Sequence, residues 1–384
     1  SGYVLLCTRP RRAVTFACSC ARLCILRNKG EAYNKDIYMK IIHCADIHLG
    51  SKMDSRLPGY KADERKAEVR KTFSRIISYA KSEGVKVIML SGDVFDSDRP
   101  VKKDKEFFYS AVKNNPQIDF LYLRGNHDVK ESYSEQFGNL KTFGNVWAAY
   151  TYGDVVINGI ELSPENKTSF FSTLRLEKDK LNIVMLHGDE GMGVNLSKLR
   201  EKNIDYLALG HIHEYRSGRL DNRGAWCYSG CPEGRGFDEA GKKGFVLLEV
   251  GERISHEFIP FACREITELD ADLSDTSDEY TALEKIKKLS WSKENIIRLN
   301  LIGEIDYSNE TLQKEVQKQL EGSCYFISVK DKTLRKFNAE DYAGDVSLRG
   351  EFVREVLSSE LDAETRQRVI YAGLSALAGR EENL

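Results

Sequence analysis

From residue 39 onward, short apolar runs alternate with longer stretches in which apolar residues recur every three or four positions. Runs of four to eight apolar residues fit buried strands, and the longer period fits helices with one covered face. Ile41–Ala45 is the first such run. A helix is predicted after it, because Val69, Phe73, Ile76, Ile77 and Ala80 share one face, and Gly84 supplies its stop. Val85–Leu90 reads as the next strand. Phe107, Phe108, Ala111 and Val112 mark a helix ended before Pro116, and Phe120–Leu123 a further strand. Leu181–Leu186 and Tyr206–Leu209 are two more, with a short helix over Leu196–Lys202 between them. Val246–Val250 and Ile254–Ile259 read as a strand pair turning at Gly251-Glu252. This is an α/β order in which helices cover sheet faces.

The pattern changes after Cys263. Glu268–Glu279 is acidic and rich in Ser and Thr, and reads as a linker. A helix (Tyr280–Leu289), a strand (Ile296–Ile302), a helix (Glu310–Leu320) and a strand (Tyr325–Val329) then suffice for a small α+β domain. The tail from Leu348 to Gly379 reads as helical. It carries two apolar stripes, one of Phe352, Val353, Val356 and Leu357, the other of Ile370, Leu374 and Leu377. The expected divisions are an extension (1–38), a main domain (39–262), a small domain (263–340) and a helical segment (341–384).

Composition narrows the class without naming a function. The 384 residues are 41% hydrophobic and 30% charged, an ordinary globular balance that excludes a disordered or collagen-like chain. No run approaches the roughly 18 apolar residues of a membrane span. Cysteines scattered through the main body fit a reducing compartment, so a cytoplasmic location is expected. The first 38 residues carry seven basic and two acidic side chains, net +5, which leaves −7 for the rest of a chain whose total is −2. That segment lacks periodicity and reads as a non-native or leader extension, with Met39 as the natural start. Its Cys18-x-Cys20-x3-Cys24 run has no second ligand pair nearby and reads as inert thiols.

Five apolar strands end in polar clusters. Ile41–Ala45 leads into Asp46-Ile47-His48, and Val85–Leu90 into Gly92-Asp93-Val94-Phe95-Asp96. Phe120–Leu123 leads into Arg124-Gly125-Asn126-His127-Asp128, Leu181–Leu186 into His187-Gly188, and Tyr206–Leu209 into Gly210-His211-Ile212-His213. Ligands collect at the carboxyl ends of strands in open α/β sheets, so the five ends would converge on one rim. In extended chain, positions i and i+2 face together, which pairs Asp46 with His48 and His211 with His213. The mix of carboxylate, amide oxygen and imidazole suits manganese, iron or zinc better than calcium. Any one cluster alone reads as an ordinary surface pair or turn, but five in order do not. The remaining histidines, His43 and His256, read as ordinary strand residues.

Together these motifs resemble the calcineurin-like metallophosphoesterases, and within them the SbcD-type nuclease subunits of bacterial DNA repair. The likeness rests on Asp46-Ile47-His48-Leu49-Gly50-Ser51, on Gly92-Asp93-Val94-Phe95-Asp96, and on the run from Tyr228 to Asp238 with Lys243-Gly244 beyond it. It is strong from Met39 to Pro260 and weaker over the small domain. It implies a four-layer sandwich of two β-sheets flanked by helices, a small α+β cap domain and C-terminal helices. It also implies two divalent metal ions, manganese first, with iron or zinc as alternatives. Asp46, His48, Asp93 and His213 would hold one ion, and Asp93, Asn126, His187 and His211 the other.

By the same resemblance His127 would protonate or steady the leaving oxygen. Asp128 would orient His127 or simply hold a turn, and the two readings stand level. Asp96 stands where some relatives carry histidine. Arg124 and Arg235 are candidates to touch phosphate, with a loop salt bridge equally open for Arg124. Phe237 would stack on a base or pack under its own loop. The implied activity is that of a metal-dependent DNA exonuclease or endonuclease, with DNA, a coiled-coil SMC-like ATPase subunit and a second copy as partners. The alternatives are a phosphodiesterase or phosphatase acting on small molecules under a lid domain, and a non-catalytic binding subunit.

Overall fold

The computed structural model describes residues 39–53, 57, 59–128, 137–307, 309, 311–336 and 338–377. The expectations for residues 1–38, the extension and its cysteine cluster, lie outside the described residues. β1 (Met39–Cys44), β2 (Val87–Ser91) and β3 (Asp119–Leu123) run parallel and side by side. A parallel sheet covered on both faces needs apolar residues at nearly every position, which is why these strands read as unbroken runs. Leu140–Thr142 extends the sheet on one side, and the antiparallel pair Gly244–Val250 and Ile254–Pro260 on the other.

A second six-stranded sheet has β4 (Leu181–His187) and β5 (Tyr206–Gly210) parallel at its centre. The sheets pack face to face through Ile41, Met89 and Leu121 on one and Ile183, Met185 and Tyr206 on the other. Alternate residues of the first sheet, Ile42, Ile88, Leu90 and Phe120, point outward. They meet Phe73 and Ile76 of helix α1 (Gly59–Ser82) and Phe108 and Val112 of helix α2 (Lys102–Lys113). Phe170 and Leu199, from a short helix and a single tight turn, cover the outer face of the second sheet. The result is two mixed sheets flanked by helices. Each fully buried large apolar side chain contributes roughly 1.5–3 kcal/mol relative to exposure, enough in sum to hold strained loops at the rim.

The small domain has three parallel strands, Ile266–Asp272, Ile296–Ile302 and Phe326–Asp331, with the second in the middle. Helices Glu279–Ile286 and Leu312–Leu320 connect them and share a core with Leu299 and Leu301. The first strand corrects the linker reading of its sequence. Glu268, Asp270 and Asp272 are exposed, while Ala271 is buried and Leu269 packs on the core. The acidic residues are therefore one face of a strand, not a tether. A capping box of Asp278 and Thr281 starts the helix that follows.

The C-terminal segment is broken rather than continuous. Leu348–Ser358 and Ala363–Leu377 are separate helices, and their stripes face each other: Val353 and Val356 pack with Ile370, flanked by Phe352, Leu357 and Leu374. No helix among the described residues is long and apolar enough to cross a membrane.

Candidate metal centre

The chain leaving β1 runs beside the chain leaving β2. The backbone N–H groups of Asp46, His48 and Leu49 donate to the carbonyls of Gly92, Asp93 and Val94 at 3.0, 3.0 and 2.9 Å. Seven non-glycine residues among those described have left-handed backbone, and four of them lie here: Asp46, His48 and Asp93 with φ 52°, and His211 with φ 96°. Each such residue costs of order 1–3 kcal/mol and persists only where its surroundings fix it. Glycine is required alongside. A Cβ on Gly92 would lie 2.0 Å from His187 Nδ1, and one on Gly125 would lie 2.1 Å from Asp93 Oδ1.

The five strand ends do converge. His48 Nε2 lies 3.1 Å from His213 Nε2, and His213 Nε2 lies 4.0 Å from Asp46 Oδ1. Asp93 Oδ2 lies 3.3 Å from His187 Nε2 and 3.9 Å from His48 Nε2, so it stands between two donor groups. Asn126 Oδ1 lies 3.0 Å from His187 Nε2 and 3.2 Å from His211 Nδ1. Two donors about 2.1 Å from a common ion stand roughly 3.0–3.4 Å apart for bond angles of about 90–110°. Four of the six spacings fall in that range, and those from Asp93 to His48 and from Asp46 to His213 are wider, at 3.9 and 4.0 Å. All seven residues expected to hold metal lie at this rim: Asp46, His48 and His213 form one group of donors and Asp46, Asp93 and His187 another, with Asn126 beside His187 and His211.

Each outer ring nitrogen has an oxygen beside it. His187 Nδ1 donates to the Ser91 carbonyl at 2.9 Å, which fixes the ring with Nε2 pointing inward. His213 Nδ1 lies 2.7 Å from Glu239 Oε1, and His48 Nδ1 lies 2.9 Å from Asp96 Oδ1. Carboxylates behind metal-binding imidazoles fix the ring and raise its basicity. Sequence reasoning missed Glu239 and left Asp96 without a role. Neither carries a local signal, because each acts on a histidine far away in the chain.

Charge follows burial. Burial pushes the Asp46 carboxyl up to about 6, against the pull of the His187 and His213 charges. Burial acts the same way on Asp93, but the hydrogen bond and charge of His187 outweigh it and hold Asp93 well below the usual carboxylate range. His187 shows the reverse: burial pulls it down, yet Asp93 raises it to about 9. Burial lowers His48 to about 4, despite the neighbouring Asp96.

The other expected residues divide. His127 is exposed at the rim; its N–H donates to Asp93 Oδ1 at 2.9 Å and its ring Nδ1 lies 3.2 Å from the Asp96 carbonyl. Asp128 is buried and faces away from that ring. Its oxygens accept from Tyr122 Oη at 2.6 Å, Gly125 N at 2.6 Å and Val94 N at 2.8 Å. These contacts match the turn role, not the orienting one. Arg124 donates through Nε and Nη2 to the two oxygens of Glu161 at 2.9 and 2.5 Å, the loop salt bridge. Arg235 is spent on Asp96 and Glu239, at 2.8 and 2.7 Å, rather than left open for phosphate. The Arg298 guanidinium lies 4.0 Å over the Phe237 ring, which ties that ring to the small domain.

Residues 39–215 match the family model of the calcineurin-like phosphoesterases, a span that contains all seven rim residues. The chain carries a calcineurin-like phosphoesterase domain and is a metal-dependent phosphoester hydrolase. It is similar to DNA double-strand break repair protein Mre11 of Sulfurisphaera tokodaii, 25% identical over 362 residues that cover 86% of this chain and 91% of that one. The protein of the same name from Sulfolobus acidocaldarius is 25% identical over 310 residues, 73% of this chain and 79% of that one. That from Saccharolobus solfataricus is 26% identical over 236 residues, 54% and 60% of the two chains.

Proposed function

We propose that this chain hydrolyses phosphodiester bonds in DNA, with two divalent ions held by Asp46, His48, Asp93 and His213 and by Asp93, Asn126, His187 and His211. The observation that carries the reading is Asp93 Oδ2 standing 3.3 and 3.9 Å from imidazoles of the two groups. The mixed oxygen and nitrogen donors suit manganese, with iron or zinc as alternatives. Such ions, when bound, lower the pKa of water and offset charge developing on the phosphoryl oxygens.

The protein's own groups do the rest. Asp46 and Asp93 are the only carboxylates in the assigned set, and Asn126 adds a neutral oxygen. They leave a divalent pair incompletely neutralised, which suits the single negative charge of a diester. His127 donates through Nδ1 to the Asp96 carbonyl, so Nε2 is the atom free to exchange a proton. As the imidazolium it gives the Nε2 proton to the leaving oxygen and is left neutral, with its hydrogen on Nδ1. DNA as substrate is supported by the names of the relatives. A coiled-coil ATPase and a second copy belong to the same reading.

The test is purified protein with Mn2+ on linear duplex DNA, single-stranded DNA and bis-p-nitrophenyl phosphate. Degradation of DNA supports the reading. Turnover of the small diester with DNA left intact, even with a partner ATPase present, would favour a small-molecule phosphodiesterase.

A further inference from the structure

We propose that Arg235 is a positioning residue for the metal centre: it clamps the two carboxylates that stand behind His48 and His213. The inference rests on the metal assignment above. Arg235 Nη1 donates to Asp96 Oδ1 at 2.8 Å, and that same oxygen lies 2.9 Å from His48 Nδ1. Arg235 Nε and Nη2 donate to Glu239 Oε1 at 2.9 and 2.7 Å, and that oxygen lies 2.7 Å from His213 Nδ1. Its backbone N–H donates to the other oxygen, Glu239 Oε2, at 2.8 Å. One guanidinium thus joins two carboxylate–imidazole pairs that approach from different sheets.

The chemistry needs arginine. Its planar fork presents several donors at fixed angles, so the two pairs are held relative to each other and not only one by one. That relation matters because His48 Nε2 and His213 Nε2 must share one ion, and they stand 3.1 Å apart. The side chain is only 21% exposed, so solvent and salt screen the clamp weakly.

The loop that carries Arg235 is itself fastened from behind. Glu233, 2% exposed, accepts from Arg65 Nη1 at 2.9 Å, Thr72 Oγ1 at 2.8 Å and Cys263 N at 2.7 Å. Arg65 Nη2 also donates to the Gly234 carbonyl at 2.6 Å. The clamp therefore has a fixed footing on α1 and at the start of the small domain. Among the described residues, Arg235 makes no hydrogen bond to Asp93, Asn126, His187 or His211, and His187 has its own anchor at Ser91. Loss of the clamp should weaken one ion and spare the other.

The test compares the full chain with Arg235→Gln and Arg235→Lys. Mn2+ binding is followed by calorimetry and by the electron paramagnetic resonance of the coupled ion pair. Values of kcat and KM are taken on bis-p-nitrophenyl phosphate. Loss of an outer hydrogen-bond partner typically costs about 10–100-fold in metal affinity or activity. Arg235→Gln should bind one Mn2+ weaker by that factor, lose the coupled-pair signal, and lower kcat with KM little changed. Arg235→Lys should recover part of this, since an ammonium can hold one carboxylate but not both. Two ions bound at full affinity in Arg235→Gln, with or without a raised KM, would overturn the proposal; a raised KM alone would make Arg235 a substrate contact. If the Gln variant fails to fold by circular dichroism, Arg235→Lys decides: wild-type affinity for both ions overturns the clamp. A wild-type chain that binds no ion pair overturns the metal assignment and the clamp together. A chain that binds both ions but spares DNA overturns only the substrate.

Discussion

His48 Nε2 and His213 Nε2 face each other across 3.1 Å, each with its other ring nitrogen beside a carboxylate. Two imidazole nitrogens at that distance share either a proton or a cation, and a ring whose Nδ1 hydrogen faces a carboxylate leaves Nε2 bare for the cation. The folded chain should therefore bind a divalent ion that the unfolded chain does not. At about 100 times its Kd, one such ion adds about 2.7 kcal/mol of stability. Thermal melts with Mn2+ and with EDTA should differ accordingly, and His213→Ala should lose most of that increment. Identical melts with and without Mn2+ would refute the site.

A second prediction separates His127 from the metal ligands. His127→Ala should keep both ions, read by elemental analysis. General-acid assistance is typically worth about 10²–10⁴-fold. Loss on that scale is expected with DNA, whose leaving alkoxide needs a proton. Bis-p-nitrophenyl phosphate, with a stable leaving phenolate, should lose far less. Equal losses on both substrates would argue against proton donation by His127.

The neighbouring residue should behave in the opposite way. Asp128 is buried and gathers Tyr122 Oη and the N–H groups of Gly125 and Val94. Asp128→Asn sets an amide N–H against some of those donors. Stranding buried partners costs about 1–3 kcal/mol each, so a loss of a few kcal/mol is expected in urea unfolding. His127→Ala, at the exposed rim, should change stability by less than about 0.5 kcal/mol. A stable Asp128→Asn protein would mean that the loop does not depend on this carboxylate.

The fourth prediction concerns acid stability. His43 is buried in β1, with Nδ1 2.9 Å from Tyr206 Oη. Burial lowers its pKa from 6.5 to about 3. Between those values the unfolded chain holds the extra proton, so stability falls as pH falls, by at most about 1.4 kcal/mol per pH unit. Above 6.5 the contribution is complete. His43→Gln keeps a polar partner for Tyr206 but cannot titrate. With EDTA in both samples, its stability should fall less steeply from pH 6.5 to 4 than that of the parent. Parallel curves would show that His43 does not carry the effect.

The rim was legible because its parts are local. Each cluster joins an apolar strand to a glycine or a polar turn, and parallel strands bring such ends together without further information. Asp96, Glu239 and Arg235 were not legible in the same way. The Arg235–Asp96 pair spans 139 residues, and nothing in either local sequence points to the other. The strand Ile266–Asp272 was hidden for a different reason. Its exposed face is acidic, and its inward face is filled by Thr267, Leu269 and Ala271, small or partly buried residues that give a weak apolar signal. The break between the C-terminal helices turned two apparent stripes into one shared core.

The left-handed backbone at Asp46, His48, Asp93 and His211 has an evolutionary side. At those four positions glycine would relax the main chain and remove the donor side chain from the rim. A lineage released from selection for hydrolysis, but still selected to fold, would gain stability by mutating there first. The rim would vanish before the sandwich beneath it changed. In a chain such as this one, the backbone strain and the donor side chains sit at the same four positions.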